Sequence, residues 1–307
     1  MTDGDDPQDY SGVTNLVFAS MQMFLDSTIT NLVRTSGQTI RARFHFAHFG
    51  EEPLKDAALA WKLVADGRTL REGTASIGDQ ELGGVRFVAA ADIVVPNLDR
   101  AVKARLEAVV SSGSFRKSNG WDYWLFPVRQ SVKGPRLLCA EAFASALKGR
   151  YPGLRVQSET AKVDFASCDT VIAPYGSDLE KAALAAGKNV VSLANQDTSR
   201  NVTLGWWYMT EQMGAAMKDH PVLAGIPHEG LFEPQFFRIG KMGLKLPVEG
   251  FAKDDFVMVG EGGKGCYLYL AVARRPNGAR HGLIAGLDVL SDTVEGSALL
   301  DGMLGAK

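Results

Sequence analysis

The stretch that most constrains this chain is residues 119–129, NGWDYWLFPVR, where one kind of sequence stops and another begins. Upstream, apolar and polar residues alternate between turn signals, as in an all-β domain. Downstream, short apolar runs alternate with helical patterns, as in an α/β domain. Pro127 cannot donate a ladder hydrogen bond, so the aromatic strand carrying Trp121, Tyr123 and Trp124 is expected to end there. It reads as the last strand of a β-sandwich running into a linker over 128–135. Residues 13–127 are thus expected to form one domain and 136–307 a second, after a mobile acidic tail over 1–12. The 307 residues suffice for two such domains.

Within the first domain, residues 37–49 read GQTIRARFHFAHF. Ile40, Ala42, Phe44, Phe46 and His48 share one parity, whereas Arg41, Arg43 and His45 take the other, which predicts a strand with one buried face. His45 and His48 then point to opposite faces and make a poor metal pair. A second strand around Trp61 and Leu63 stops at Asp66-Gly67, a hairpin-type turn. More strands are expected near 71–77, 85–95 and 101–110, separated by Gly83-Gly84, Pro96-Asn97 and Ser111-Ser112-Gly113. Six or seven short strands over about a hundred residues is the pattern of an immunoglobulin-like sandwich, expected to be antiparallel, with Trp61 and Trp121 largely buried.

Past the seam, strands are expected at 136–140, 153–158, 170–173 and 189–194, interleaved with helices over 141–149 and 177–186. Ser177 is placed as an N-cap and Glu180 as the third helical residue of a capping box, with Gly187 closing the helix. Strand–helix–strand at this spacing predicts a mostly parallel sheet. Later strands near 256–259, 266–274 and 282–287 include a hairpin through Arg275-Pro276-Asn277-Gly278, and a final helix covers 293–304.

Composition excludes several classes of function. The net charge is -2 with no basic block, which argues against a nucleic-acid partner held through phosphates. No apolar run approaches the ~20 residues that cross a bilayer, and the start, MTDGDDPQD, is unlike a signal peptide. The chain as given is therefore expected to be soluble, without an export signal, and cytoplasmic as expressed. Cys139, Cys168 and Cys266 lie far apart in apolar runs, which gives buried free thiols rather than a disulfide framework or zinc site. Asp3, Asp5, Asp6 and Asp9 are hard oxygen ligands of the kind calcium takes, but their spacing lacks the Gly and Glu of an EF-hand loop.

Candidate chemistry concentrates in two places. The segment 220–237, HPVLAGIPHEGLFEPQFF, brings His220, His228, Glu229 and Glu233 into an irregular stretch. His228 with Glu229, Glu233 or His220 has the composition of an acid–base group or a divalent-metal site, and His228-Glu229 is the preferred pair. The bland alternative has these side chains bonding backbone inside a packed loop. Ser177 follows a strand and opens a helix, as an elbow nucleophile does, but Leu179 stands where the second elbow glycine belongs. If the chain is an enzyme, its chemistry is expected in the 220–237 loop near the carboxyl ends of the parallel strands, with Ser177 the second choice. Trp206 and Trp207, with Tyr208, are candidates for stacking on a sugar.

Several of these pieces carry a family resemblance. Ala47-His48-Phe49-Gly50, Ala60-Trp61-Lys62-Leu63, Val95-Pro96, Asn119-Gly120-Trp121 and Phe126-Pro127 resemble the sandwich that follows the catalytic barrel in glycoside hydrolase family two. Residues 169–173, His220-Pro221-Val222-Leu223, Pro227-His228-Glu229-Gly230, Gln235-Phe236-Phe237 and Gly286-Leu287-Asp288 resemble the C-terminal region of its longer members. The resemblance implies a class I glutamine-amidotransferase-like, flavodoxin-like α/β domain without that fold's catalytic residues. The family's catalytic Glu residues lie in a (β/α)8 barrel that has no room in this chain, so none of its functional residues carries over.

Two functions follow as expectations. One is a non-catalytic accessory region that packs against a glycosidase barrel or binds carbohydrate. The other is a stand-alone hydrolase of small esters or lactones using the 220–237 loop, with Ser177 or a divalent metal such as calcium activating water. On its own the chain is not expected to hydrolyse β-glycosides.

Overall fold

The computed structural model describes residues 15–18, 32–129, 136–158, 162–194, 215–236, 238–240, 248–262 and 265–305. The fold is β-rich and has two parts, divided between Val128 and Arg129.

The first unit carries eight strands: β1 (Asn15–Phe18), β2 (Val33–Thr35), β3 (Thr39–Ala47), β4 (Leu54–Ala65), β5 (Arg68–Gln80), β6 (Val85–Val94), β7 (Val102–Ser112) and β8 (Phe115–Phe126). They form a three-stranded sheet, β1-β3-β6, and a five-stranded sheet, β2-β8-β7-β4-β5. The parity of β3 sets its faces: Ile40, Ala42, Phe44, Phe46 and His48 are buried, whereas Arg41 and Arg43 are exposed. Ile40, Ala42, Phe44 and Phe46 join Leu59, Leu63, Leu106, Trp121, Tyr123 and Leu125 in one apolar core. His45 and His48 do face apart. His45 packs edge-on against Phe87, whereas His48 stacks on Phe46 and bonds the Glu52 carbonyl at 2.8 Å.

Two expectations are corrected here. The unit is not wholly antiparallel, because β2 runs parallel to β8, with Val33 opposite Trp124. Trp61 shares the parity of buried Leu59 and Leu63 but is only half-buried, since its neighbour across the ladder is Gly73 on edge strand β5.

The second unit is built on one eight-stranded mixed sheet. Its strands are β9 (Leu137–Ala140), β10 (Arg155–Gln157), β11 (Thr170–Pro174), β12 (Asn189–Leu193), β13 (Ala216–Met217), β14 (Phe256–Gly262), β15 (Gly265–Arg274) and β16 (Arg280–Ile284). The order is β10-β9-β11-β12-β16-β15-β14-β13. The first five run parallel to one another and the last three pairings, β16-β15, β15-β14 and β14-β13, are antiparallel, so the sheet is less parallel than the strand–helix alternation predicts. Three helices are described: α1 (Ala144–Leu147), α2 (Asp178–Ala185) and α3 (Val294–Gly305).

Alternation along the parallel strands separates two cores. Cys139, Ile172, Val191 and Ile284 face a large cluster completed by Leu147 of α1 and Leu299, Leu300 and Met303 of α3. Leu138, Val171, Ala173 and Val190 face the other way, with Ala183 of α2. Among the described residues no helix is long and apolar enough to cross a membrane.

Candidate functional site

The segment from Ala215 to Gly240 leaves the antiparallel edge of the sheet, beyond β12, β16, β15 and β14 from β11. Its apolar residues Val222, Leu223, Ile226, Phe232, Phe236 and Ile239 cover the α1/α3 face. That burial explains its proline-punctuated sequence, because an irregular segment holds its shape only when its own side chains pack. Phe232 lies 5.3 Å from Phe236 and 6.1 Å from Tyr269, centroid to centroid.

Local hydrogen bonds use the two histidines here. His220 caps the turn Pro221–Leu223, its Nδ1 accepting from the Val222 N–H at 3.2 Å. His228 Nδ1 accepts from the Gly230 N–H, also at 3.2 Å. Burial, followed by the charges of Lys218 and Arg280, pushes the His220 pKa below the usual histidine value. Glu229 is exposed and Glu233 buried. Gln235, fully buried, donates to the Pro227 carbonyl at 2.6 Å and so holds the start of the Pro227-His228-Glu229-Gly230 turn region.

Ser177 lies on the opposite face. Its Oγ accepts from the Glu180 N–H at 3.2 Å, as an N-cap does. Glu180 reaches back to Gly176, whose N–H donates to Oε2 at 2.6 Å. A helix N-terminus attracts anions through such free N–H groups. Here the chain's own carboxylate takes that place.

The structure therefore does not gather the sequence's candidates into one site. His220, His228 and Glu233 belong to the α1/α3 side, and Ser177 to the α2 side. Trp206, Trp207, Asp3, Asp5, Asp6 and Asp9 lie outside the described residues. Among the described residues no three His, Cys, Asp or Glu side chains come together in a way that holds a metal ion. These residues accordingly offer no fit to the divalent metal considered above.

What the structure does gather is a polar cluster between α2 and the sheet. Glu180, Ser192 and His281 are 4%, 0% and 2% exposed. Ser192 of β12 donates to Glu180 Oε1, and its Oγ stands 2.6 Å from His281 Nε2. The same Nε2 lies 3.0 Å from Glu180 Oε1. On the other side of the ring, an Arg275 amino group bonds His281 Nδ1. Phe251 closes the cluster, 6.1 Å from the imidazole and 5.2 Å from the Arg275 guanidinium.

Arg275 decides the chemistry. A guanidinium only donates, so His281 Nδ1 must offer its lone pair and Nε2 must carry the proton. Nε2–H then points at Ser192 and Glu180, and no lone pair remains there to deprotonate the serine. A Ser–His–acid triad needs the reverse: a free imidazole nitrogen toward the hydroxyl and the acid on the other nitrogen. Burial pushes the Glu180 carboxyl pKa up, but hydrogen bonds from His281, Ser192 and the Gly176 N–H outweigh it and hold it below the usual value. The arrangement binds a carboxylate tightly and fixes one histidine tautomer.

Sequence reasoning placed Glu180 correctly in the first turn of α2 but missed the cluster. A signal was present. Ser192 interrupts the apolar strand NVVSL, and a polar side chain in such a run needs a buried partner.

Comparisons with known proteins complete the description. A family model described as a domain of unknown function (DUF8488) matches residues 38–127, less than half of the chain. No curated protein matches. Among solved structures, the chain is similar over 31% of its length to the alkylpurine DNA glycosylase AlkC of Pseudomonas fluorescens bound to DNA, at 13% identity and a TM-score of 0.23. It is similar over 46% to a family 123 glycoside hydrolase of Clostridium perfringens, at 11% identity and 0.24. A β-glucuronidase of Parabacteroides merdae matches over 65% of this chain, at 11% identity and 0.23. The chain spans only 28%, 33% and 26% of those three proteins, respectively.

Proposed function

We propose that this chain is a non-hydrolytic accessory region of a glycoside hydrolase family two-like protein, an immunoglobulin-like sandwich followed by an amidotransferase-like, flavodoxin-like domain. One observation carries the non-hydrolytic part. The side chains best suited to hydrolysis are engaged in holding the fold. Ser177 caps α2, His220 and His228 accept backbone N–H groups, and His281 directs its proton at Ser192. The architectural part is supported by the parallel strands, whose order β10-β9-β11-β12-β16 follows the flavodoxin-like pattern 2-1-3-4-5. The kinship rests on the sequence resemblance, and its residues do structural work here. His48 and Trp121 are buried, and Gln235 ties the turn at Pro227.

The test is a panel of aryl β-glycosides, aryl esters and lactones, assayed on the purified chain with EDTA and with added calcium. No turnover is expected in either condition. Robust turnover that disappears in His228→Ala or Ser177→Ala, with folding intact, would overturn the reading in favour of a stand-alone hydrolase.

A further inference from the structure

The exposed apolar side chains of the first unit gather on one strand. Among the described residues seven large hydrophobic side chains are exposed, and five of them, Phe49, Leu82, Val85, Phe87 and Val94, lie on β6 or beside its start. Phe49 belongs to that end because the Gly83 N–H, in the β5–β6 turn, bonds the His48 carbonyl at 2.6 Å. β6 is also an end strand of its sheet, β1-β3-β6, so one row of its backbone groups meets no further strand among the described residues. Long edge strands are normally guarded by charge or irregularity. β5, the long edge of the other sheet, is guarded in this way: it carries Arg68, Arg71 and Glu72 and breaks register with β4 three times. β6 instead turns Val85, Phe87, Ala90, Asp92 and Val94 outward, on the face of Arg41, Arg43 and His45 of β3.

We propose that β6 pairs with β6 of a second copy of this chain, antiparallel about a two-fold axis at Ala91, so that two three-stranded sheets become one of six strands. The sequence of β6 selects this register. On the inner face Ala91 meets itself and Ile93 meets Ala89, so small residues line the join. On the outer face Asp92 stands opposite Ala90. Val88 is the extra residue of a bulge against β3, since Phe44 pairs with Ala89 and His45 with Phe87. With Val88 skipped in the same way, Phe87 stands opposite Val94 of the second copy. These two side chains, 50% and 47% exposed in the single chain, then cover each other. The ladder stops there because Pro96 has no N–H to give.

Charge agrees with the same register. Arg43 lies over the Phe87 ring at 5.0 Å and, like Asp92, makes no ion pair among the described residues. Arg43 pairs with Ala90 across the ladder, and Asp92 of the second copy takes the open side of that alanine. The Arg43 and Asp92 backbones are then two strand spacings apart, roughly 10 Å, which an arginine side chain bridges over an alanine. Two such pairs form, one on each side of the axis. An axis at Asp92 would instead set two carboxylates directly opposite each other. A foreign strand requires no self-matching sequence, whereas β6 matches itself at each outward position from Phe87 to Val94.

Sedimentation velocity of the full chain, over a dilution series reaching ~100 μM, is expected to show a monomer–dimer equilibrium. Phe87→Lys changes an exposed side chain and is expected to weaken association at least ~10-fold while the monomer stays folded. Ala91→Cys reads the register. Under mild oxidation it is expected to link two chains, because directly opposed Cα atoms fall within disulfide reach. Val94→Cys is more exposed but faces Phe87, so it is expected to link more slowly; the parent chain run alongside accounts for the native thiols. A wild-type chain that stays monomeric throughout the series overturns the proposal. So does a dimer that Phe87→Lys leaves unweakened, or linking at Val94→Cys as fast as at Ala91→Cys.

Discussion

The indole of Trp61 lies flat across Gly73 of the neighbouring strand, so a Cβ built on that glycine stands 2.6 Å from the ring. The two residues pair in register on β4 and β5, and the ring fills the space that a side chain at 73 otherwise takes. Gly73→Ala is expected to push a bulky, stiff side chain off its site and to destabilise the first unit by about 2 kcal/mol. Urea unfolding followed by tryptophan fluorescence measures it. An unchanged midpoint with unchanged emission would show that the indole does not rest there.

Two glycines on the second unit separate a rigid contact from a yielding one. A Cβ on Gly302 meets the Val222 carbonyl oxygen at 2.0 Å, whereas one on Gly282 meets the terminal methyl of Met303 at 2.1 Å. Backbone cannot step aside and a methionine methyl can. Gly302→Ala is therefore expected to cost about 3 kcal/mol and to loosen the 215–240 segment from α3, with Gly282→Ala costing clearly less. Thermal melts of the two variants side by side check the order; a milder effect at 302 contradicts this packing.

Ser177→Ala removes the only side-chain cap on α2 among the described residues. A loss of about 1 kcal/mol in stability is expected, the usual worth of a Ser cap. Ser177→Asp should recover most of it, because aspartate caps as well. A nucleophile would not be rescued in activity by that exchange, so chemical denaturation of the pair distinguishes the two roles.

Burial raises the pKa of Cys139 to about 11 and, by the same cause first, raises that of Cys168. The thiolate is the reactive form, so both are expected to resist alkylation at neutral pH in the folded protein. Iodoacetamide labelling followed by peptide mass mapping, with and without denaturant, reads this directly. Rapid labelling of either residue in the native chain would contradict their placement.

Glu180 makes stability depend on acid. Its folded pKa lies below its unfolded value, so the unfolded chain binds the proton more readily. Its contribution is present above the ordinary glutamate pKa of ~4.3 and is lost as pH falls through the lower folded value. Glu180→Gln is expected to flatten the stability–pH curve on that acid side, as measured by urea midpoints. An identical curve in the variant would show that the carboxylate titrates as it does in the unfolded chain.

The parity of β3 was legible because only one alternation buries Phe44 and Phe46 while leaving Arg41 and Arg43 in water. The cap at Ser177 was legible because a hydroxyl three residues before Glu180 has a local partner whatever the rest of the chain does. Residues such as these act over one strand or one helical turn, and composition within that window determines them. The parallel placement of β2 beside β8 was not legible, since three residues of strand carry no signal for direction.

The candidate site divides along the same line. Sequence alone determined that His228, Glu229 and Ser177 sit at loop and helix-start positions. Only the tertiary structure decided that Ser177 and His228 lie on opposite faces of one sheet, because strand order depends on crossovers that the chain makes elsewhere. It alone brought Glu180, Ser192, His281 and Arg275 together from positions 6 to 101 residues apart in sequence. A buried imidazole takes its tautomer from whichever groups surround it, and those contacts exist only once β12, β16, α2 and the 275–278 turn have met.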